Sequence, residues 1–290
     1  MPAAPTTIAI LVLSMGDRPV ELERCLKSAL AQTYDTLEIW CVGMGWQPEN
    51  IPDGVRVHGV EENLGSTKGR NYAARLTDTE LFMFLDDDAW LPDPDFIARA
   101  VDVFTARRDL GLLVPRLTDA DGTTLRRWVP RAHVGDPMVS GPAFNCLEGI
   151  TVMRRRAWDE VGGFPEDFFH GHEGVDLCWR MRDQGWDCRY EATLSLHHPA
   201  LPAGRHAYFL RLNARNRVWV ARRNLPVPLI GLYVGIWTVI SLIRNRSDWE
   251  SIKAWVSGWR EGWQTSPGDR RPMRWRTVAK LTCLGQPPII

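Results

Sequence analysis

The sequence has no pair of cysteines at the Cys-x-x-Cys spacing that is typical of zinc and redox sites. Its six cysteines are scattered over 290 residues, and several lie among apolar residues, as Cys41 does between Trp40 and Val42. A chain of this length buries a large core and needs no disulfides for stability. We therefore expect buried, free thiols in a reducing compartment and no zinc site.

A secretion signal is missing as well. Residues 1–5 contain no basic residue, and the apolar run at residues 8–13 is too short for the hydrophobic region of a signal peptide. We therefore expect a cytoplasmic protein. Low-complexity tracts and internal repeats are also absent, and 44% hydrophobic with 24% charged residues is a globular composition.

The net charge of zero hides an uneven distribution. From Arg205 to the C-terminus there are 15 Lys and Arg against 4 Asp and Glu, a net charge of +11. The preceding residues therefore carry −11. The basic segment also contains the longest apolar stretch, residues 225–243, which prolines and glycines interrupt.

The first half of the chain alternates β-rich apolar runs with helical periodicity. Four runs predict strands, at residues 8–13, 37–42, 55–58 and 81–85. Helices are predicted from Pro19 and from about Lys68. Further strands are predicted at 112–114, 149–153 and 190–196, a loop at 128–142 and a helix at 175–184. Such alternation implies a parallel sheet whose ligands bind beyond the carboxyl ends of its strands.

Three adjacent carboxylates, Asp86, Asp87 and Asp88, directly follow the most apolar predicted strand. Like charges at this spacing repel one another, so the run costs stability unless cations or N–H donors compensate it. Alternation along an extended chain turns Asp86 and Asp88 to one side and Asp87 away. Two carboxylates with diphosphate oxygens suit Mg²⁺ or Mn²⁺, whereas a solvated acidic loop or a helix cap is the alternative interpretation.

Three further segments offer charged or metal-binding groups. Residues 63–71 open a helix with two glycines and two cations, which suits phosphate binding but also an ordinary capped helix start. Glu173 and Asp176 share a helix face, where the helix dipole favours both as anions and hence a general base, or a plain capping pair. His197 and His198 offer a metal ligand or a structural histidine, and Arg217 adds a cation.

In this order, the elements resemble the family 2 glycosyltransferases, which have the GT-A fold. The matching segments are residues 14–18, 63–71, 84–88, 154–169 and 176–180, followed by a late histidine and an Arg-Asn pair. The resemblance covers about residues 6–224. It implies an α/β fold with a Rossmann-like, mostly parallel central sheet flanked by helices, and we expect a C-terminal helical appendage.

The resemblance also assigns roles to residues. Asp86 would contact the ribose or sugar, while Asp88, with His198 or His197, would hold Mg²⁺ or Mn²⁺ on the diphosphate. The residues expected to bind the nucleotide sugar are Ser14, Asp17, Arg70, Asp86, Asp87 and Arg217. The family's usual mechanism is an inverting single displacement, in which a base removes the proton of the acceptor hydroxyl.

Two positions depart from the family pattern. Many members have an acidic base where this chain has Gly174, and the spacing from Glu173 to Asp176 is closest to rhamnosyl- and galactofuranosyltransferase-like members. We therefore predict Glu173 as the base and Asp176 as a supporting carboxylate of the acceptor site. After the second strand, residues 42–45 lack the acidic residue that many members use for the nucleobase, so the nucleobase is not assigned.

The domain organisation follows from these segments. We expect a catalytic domain at residues 1–224, with a nucleotide-sugar half to about residue 118 and an acceptor half at 119–224. A basic, Trp-rich helical region is expected at residues 225–290. Residues 225–243 reach the lower length limit of a membrane span, and a Trp-rich face is predicted at Ile252, Trp255, Val256, Trp259 and Trp263. Contact with an anionic membrane surface is the preferred interpretation, ahead of packing on protein or a second subunit, and of a true span.

Together these features predict an inverting, metal-dependent hexosyl or deoxyhexosyl transferase in the cytoplasm or at the inner face of the cell membrane. Its substrates would be a nucleotide sugar and an acceptor hydroxyl on a small molecule or on a lipid-linked or cell-envelope glycan. No nucleic-acid partner is expected. A degenerate member that binds a nucleotide sugar or a partner is the alternative. A nucleotidyltransferase is disfavoured because no Gly-rich loop with a following lysine comes after strand one.

Overall fold

The computed structural model describes residues 5–132, 135–200 and 207–289. The predicted loop at 128–142 therefore lies partly outside the described residues. The strands are β1 (Ile8–Ser14), β2 (Leu37–Met44), β3 (Arg56–Val60), β4 (Leu81–Asp86), β5 (Leu110–Thr118), β6 (Gly141–Pro142), β7 (Val152–Arg154) and β8 (Asp187–His197). The helices are α1 (Pro19–Leu30), α2 (Gly65–Ala74), α3 (Phe96–Ala106), α4 (Arg155–Val161), α5 (Glu173–Gln184), α6 (Ala207–Asn224), α7 (Val227–Arg244), α8 (Trp249–Gln264) and α9 (Trp275–Cys283).

Over these ranges the strands form one sheet in the order β3-β2-β1-β4-β7-β5-β8-β6. Strands β1 to β4 pair in parallel, as do β5 and β8, while β7 and β6 run antiparallel to their neighbours. The apolar side chains of β1 and β4 are almost wholly buried, because helices cover both faces of the sheet. The expected mostly parallel α/β architecture is confirmed.

Several element bounds differ from the sequence predictions. Strand β5 is nine residues long because β8 pairs with it almost from end to end. Helix α2 begins at Gly65, where the Asn63 side chain accepts the Gly65 N–H at 2.9 Å. The strand predicted at 149–153 divides into a 3₁₀ turn at Glu148–Ile150 and the short strand β7.

Helix α8 packs closely on α6. Its buried stripe consists of Ser251, Trp255, Gly258 and Gly262. A Cβ at Gly258 would lie 1.9 Å from the backbone oxygen of Arg211, so a larger residue would push the two helices apart. Trp263 is 39% exposed and lies off this stripe. The predicted Trp-rich face is therefore divided, and its inner part contacts protein.

Helix α7 is the one helix in the described parts of the chain that is long and apolar enough to cross a membrane. Its mean hydropathy over 18 residues is 1.7, and 11% of that stretch is buried. Val227, Val239 and Ile243 are more than half exposed. All six cysteines are free, and five of them are buried as expected, whereas Cys283 is exposed.

Candidate functional site

The three aspartates stand where β4 ends at the carboxyl edge of the sheet. Asp86 is the last residue of β4, and the Ala89 N–H donates to the Asp86 carbonyl at 3.0 Å, which closes a turn around Asp87 and Asp88. His198 directly follows β8, and its Nε2 lies 3.7 Å from Asp86 Oδ2 and 3.5 Å from Asp88 Oδ1. Asp86 and Asp88 therefore converge as expected, through a turn rather than through strand alternation.

Two arginines compensate this negative charge. Arg70 on α2 donates to Asp86 Oδ1 at 2.7 Å, and Arg18 before α1 donates to Asp88 Oδ2 at 2.7 Å. Burial opposes ionisation of Asp86, but Arg70 and His198 hold the pKa of its carboxyl below the ordinary value. Burial also opposes protonation of His198, but hydrogen bonding to Asp86 and the charges of Asp86 and Asp88 raise the pKa of the imidazole.

These side chains fit a divalent cation. One ligand atom from each of Asp86, Asp88 and His198 lies within 4.8 Å of the others. Nδ1 of His198 donates to the Pro199 carbonyl at 2.9 Å, which leaves Nε2 facing the carboxylates with a lone pair when the ring is neutral. Two carboxylates and one imidazole suit Mn²⁺, and also Mg²⁺ where further oxygen ligands come from a substrate.

His197 points elsewhere, since neighbouring residues at a strand end alternate in direction. Its Nδ1 lies 2.8 Å from Thr118 Oγ1 and 3.0 Å from the Asp119 carbonyl. Its ring lies against Trp90, with 4.9 Å between the centroids. Of the two histidines predicted as ligands, the structure brings only His198 to the aspartates.

A cavity of about 330 Å³ adjoins the acidic turn. The sequence-predicted residues that line it are Ser14, Asp17, Arg70 and Asp87, and further lining residues include Arg18, Met44, Asn63, Phe169 and His170. The expectation that Asp87 turns away from the ligand is wrong, because the turn directs it into this cavity beside Ser14. Burial raises the pKa of the Asp87 carboxyl, although Ser14 hydrogen-bonds to it.

Arg217 is not part of this cavity. Its guanidinium lies 3.7 Å from the centroid of the Trp237 ring and donates to Tyr233 Oη at 3.2 Å. All three side chains line a second cavity of about 260 Å³, together with His172. Burial, followed by the charge of Arg217, lowers the pKa of His172 to about 3, so this imidazole is neutral at pH 7.

Asp176 is fully buried, and both of its carboxyl oxygens accept hydrogen bonds from protein side chains. Arg180 donates to Oδ2 at 2.7 Å, while Arg223 and Asn224 donate to Oδ1 at 3.0 and 2.6 Å. Burial opposes ionisation, but the two arginines and Asn224 hold the pKa of Asp176 below its ordinary value. The ion cluster ties α5 to α6, and its partners rather than the helix dipole stabilise the anion.

The sequence predicts that Glu173 is an anion in an open cleft, and the structure shows a different environment. Its exposure is 0%, and among the described residues neither carboxyl oxygen has a hydrogen-bond partner, although His170 Nδ1 lies 3.9 Å from Oε1. Burial first, and then neighbouring Glu148, raise its pKa well above the ordinary value. Burial also raises the pKa of Glu148, which is partly exposed. The expectation of an exposed anion at Glu173 is therefore wrong, while the role of Glu173 as a base stays a prediction.

The sequence interpretation named no role for four residues that stand at the site: Arg18, Glu148, Phe169 and His170. Arg18 falls in the loop after the first strand, and this position at the carboxyl end of a strand could have identified it as a site residue. Phe169 has a positive φ of 62° and covers Gly65, where a Cβ would lie 2.9 Å from its ring. Such an aromatic contact between distant segments leaves no pattern in the sequence.

The comparisons with known proteins agree with this geometry. A family model described as Glycosyl transferase family 2 matches residues 12–162. The matched part includes the end of β1, the acidic turn and Glu148. The comparison with curated proteins gives no match.

Solved structures share the GT-A fold with this chain. The mannosyltransferase PcManGT from Pyrobaculum calidifontis, in complex with GDP-Man and Mn²⁺, is 16% identical with a TM-score of 0.56, over 97% of this chain and 81% of that one. GalNAc-T7 with UDP, GalNAc and Mn²⁺ is 14% identical with a TM-score of 0.65, over 97% of this chain and 58% of that one. Residues 1–349 of S. aureus TarS are 13% identical with a TM-score of 0.62, over 94% and 83%.

An Asp176→Asn variant tests whether this carboxylate is structural. We expect it to lose about 3–5 kcal/mol of unfolding free energy at pH 7, because two buried arginines lose their anion. The folded-state pKa is depressed, so the stabilisation is present above the unfolded value of about 3.9 and is lost as the pH falls through the folded value. Urea unfolding at pH 7 and at a series of lower pH values that begins below about 3.9 measures both effects.

Asp269→Asn is the matched control, because that side chain is 84% exposed. It should change the stability by less than about 0.5 kcal/mol. Equal stability of the two variants at pH 7 would contradict the structural role of Asp176.

Proposed function

We propose, from the premise that this chain belongs to glycosyl transferase family 2, that it is an inverting enzyme using a nucleotide sugar and a divalent cation. The observation that carries the proposal is the convergence of Asp86, Asp88 and His198 beside a cavity that Arg18 and Arg70 line. Ligands of open α/β sheets bind at this edge. The structural neighbours crystallised with GDP-Man or UDP and with Mn²⁺ support this choice of ligands.

The donor site is proposed from the cavity at the acidic turn. Arg18 and Arg70 would hold the diphosphate oxygens, and Asp86 would accept hydrogen bonds from the ribose or the sugar. Ser14, Asp17 and Asp87 would face the nucleoside, since all three line the same cavity as Met44 at the end of β2. Arg217, in the second cavity, is left out of the donor site.

Asp88 and His198 would hold Mg²⁺ or Mn²⁺ together with Asp86. When bound, such a cation neutralises diphosphate charge and so stabilises the leaving nucleoside diphosphate. In the displacement, the acceptor oxygen forms a bond to the anomeric carbon while the bond to the diphosphate breaks. The acceptor proton passes to a carboxylate, a role that the sequence prediction gives to Glu173.

The sugar and the acceptor are proposed from two further features. The spacing from Glu173 to Asp176 favours a rhamnosyl- or galactofuranosyltransferase-like hexosyl or deoxyhexosyl transferase. A lipid-linked or cell-envelope acceptor is proposed because α7 presents apolar side chains at the surface. A catalytically degenerate binder of nucleotide sugars is the second candidate, and Gly174 in place of an acidic residue favours it.

We expect donor use to depend on Asp88. Purified protein is incubated with a panel of UDP-, dTDP- and GDP-sugars, with Mn²⁺ or with EDTA, while donor hydrolysis and thermal shift are recorded. At least one donor should raise the melting temperature of the protein and be hydrolysed by it. Both effects should occur with Mn²⁺ and be absent with EDTA. Asp88→Asn should lower the rate by at least about 100-fold, because a cation ligand is lost.

Asp93→Asn is the matched control, since its side chain is exposed and lies outside the metal group. Binding without hydrolysis of any donor would favour the degenerate binder. Neither binding nor hydrolysis would contradict the proposed function.

Membrane contact is proposed for α7, in a protein located at the inner face of the cell membrane. Its exposed apolar residues precede Arg244 and Arg246, which suit an anionic surface. The protein should sediment with phosphatidylserine vesicles at low salt, and Val239→Glu with Ile243→Glu should abolish this binding. Leu30→Glu on α1 is a control of similar chemistry. Absence of wild-type sedimentation would reject the contact, and dimerisation through these helices would then be the remaining proposal.

A further inference from the structure

The second cavity collects buried polar atoms that have no partner. Among the described residues, atoms of this kind at its lining are Asn145 Oδ1, Arg217 Nε, Trp237 Nε1, Gln286 Oε1 and Arg131 Nε. Each such atom costs about 1–3 kcal/mol if nothing satisfies it. Three of these atoms are N–H donors and two are amide oxygens that accept, so their concentration at one cavity of about 260 Å³ indicates a ligand that both accepts and donates hydrogen bonds, as the hydroxyl groups of a sugar do.

The charges and rings of this cavity narrow the ligand class. Two guanidinium groups, those of Arg131 and Arg217, line it, and the described lining contains no carboxylate. His172 is neutral at pH 7 because its pKa is lowered to about 3. Trp179, Tyr233 and Trp237 add aromatic faces and edges. Guanidinium groups that pair with no carboxylate among the described residues, amide groups and aromatic rings together suit a sugar that carries a carboxylate or phosphate group.

Asn145, which lines the second cavity, connects this cavity to the donor half of the protein. A Cβ at Gly174 would lie 2.4 Å from Asn145 Oδ1 and 2.9 Å from Glu148 Oε1, so both side chains face the same point of α5. Glu148 in turn interacts with Arg70 and His170, which line the donor cavity. We infer that the second cavity binds an anionic glycan, which is the acceptor if the proposed function holds.

Direct binding tests this site without turnover. Tryptophan fluorescence of the protein is titrated with glucuronate, glucose 1-phosphate and glucose. At least one anionic probe should bind more tightly than glucose. Arg217→Met should weaken that binding at least about 10-fold, because the buried cation is lost.

Arg211→Met is the matched control, since Arg211 is also on α6 but pairs with Glu261 outside the cavity. Binding of only one anion identifies which group the glycan carries. Glucose binding as tightly as both anions, no binding of either anion, or equal binding by Arg217→Met would overturn the inference. Because no transfer is measured, the result is independent of whether the proposed function holds.

A second inference concerns the proton acceptor, and it rests on the proposed function. Position 174 lacks a side chain, and a Cβ there would meet Asn145 Oδ1 and the Cys146 carbonyl oxygen, each at 2.4 Å, and Glu148 Oε1 at 2.9 Å. Glu148 is the one carboxylate among these three groups, and its Oε1 accepts the Gly174 N–H at 3.2 Å. Glu148 is partly exposed, whereas Glu173 is wholly buried. The backbone beside it also reaches the donor site, because a Cβ at Gly149 would lie 1.9 Å from an Asp86 carboxyl oxygen.

We propose that Glu148, rather than Glu173, removes the acceptor proton. The acceptor O–H bond breaks as its oxygen bonds to the anomeric carbon, the proton moves to the Glu148 carboxylate, and the diphosphate leaves with the electrons of the broken C–O bond. Glu173, whose exposure is 0%, takes no proton in this step.

Matched isosteric variants decide between the two carboxyls. With the best donor of the panel and Mn²⁺, Glu148→Gln should lower the hydrolysis rate at least about 100-fold with donor affinity unchanged. Glu173→Gln should stay within about 3-fold of wild type. Formate should partly restore the rate of Glu148→Ala, which a merely structural role would not produce.

A Glu148→Gln variant with the wild-type rate, or a collapse in Glu173→Gln, would overturn the assignment to Glu148. Wild-type protein that hydrolyses no donor would instead refute the proposed function, so the two failures are distinguishable.

Discussion

The repulsion among three carboxylates at the end of β4 is the constraint on which the site depends. Asp86, Asp87 and Asp88 remain together because Arg70 and Arg18 each bond one of them and His198 faces two. The three partners come from α2, the loop before α1 and the end of β8. Charge compensation therefore joins distant segments at one edge of the sheet, and the same charges make that edge suited to a cation and a diphosphate.

Buried charge has a different use in helix α5. Asp176 is neutralised by Arg180 and Arg223 and thereby fixes α5 against α6. That fixed helix carries Gly174, beside which Asn145 and Glu148 meet. The absence of a side chain at Gly174 thus leaves room for polar groups of the segment that contains Asn145, Cys146 and Glu148.

Local patterns in the sequence predict much of this arrangement. The apolar runs identify β1 and β4, and the order of motifs identifies the family and brings Asp86, Asp88, Arg70 and His198 into one site. The direction in which a strand runs in the sheet does not follow from such local patterns. Because β7 runs antiparallel, the residues before it lie at the edge where β4 ends, and Glu148 went unassigned for that reason. Burial of Glu173 and the distance of Arg217 from the donor cavity also depend on packing between helices far apart in sequence.

The central claim is that Asp86, Asp88 and His198 form one cation site, and spin-echo spectroscopy of bound Mn²⁺ tests it most directly. With pyrophosphate as a nitrogen-free co-ligand, the echo should show nitrogen modulation from one imidazole. The modulation should persist in His197→Gln and vanish in His198→Gln. Modulation that is absent from the wild-type protein, or that survives in His198→Gln, would contradict the account.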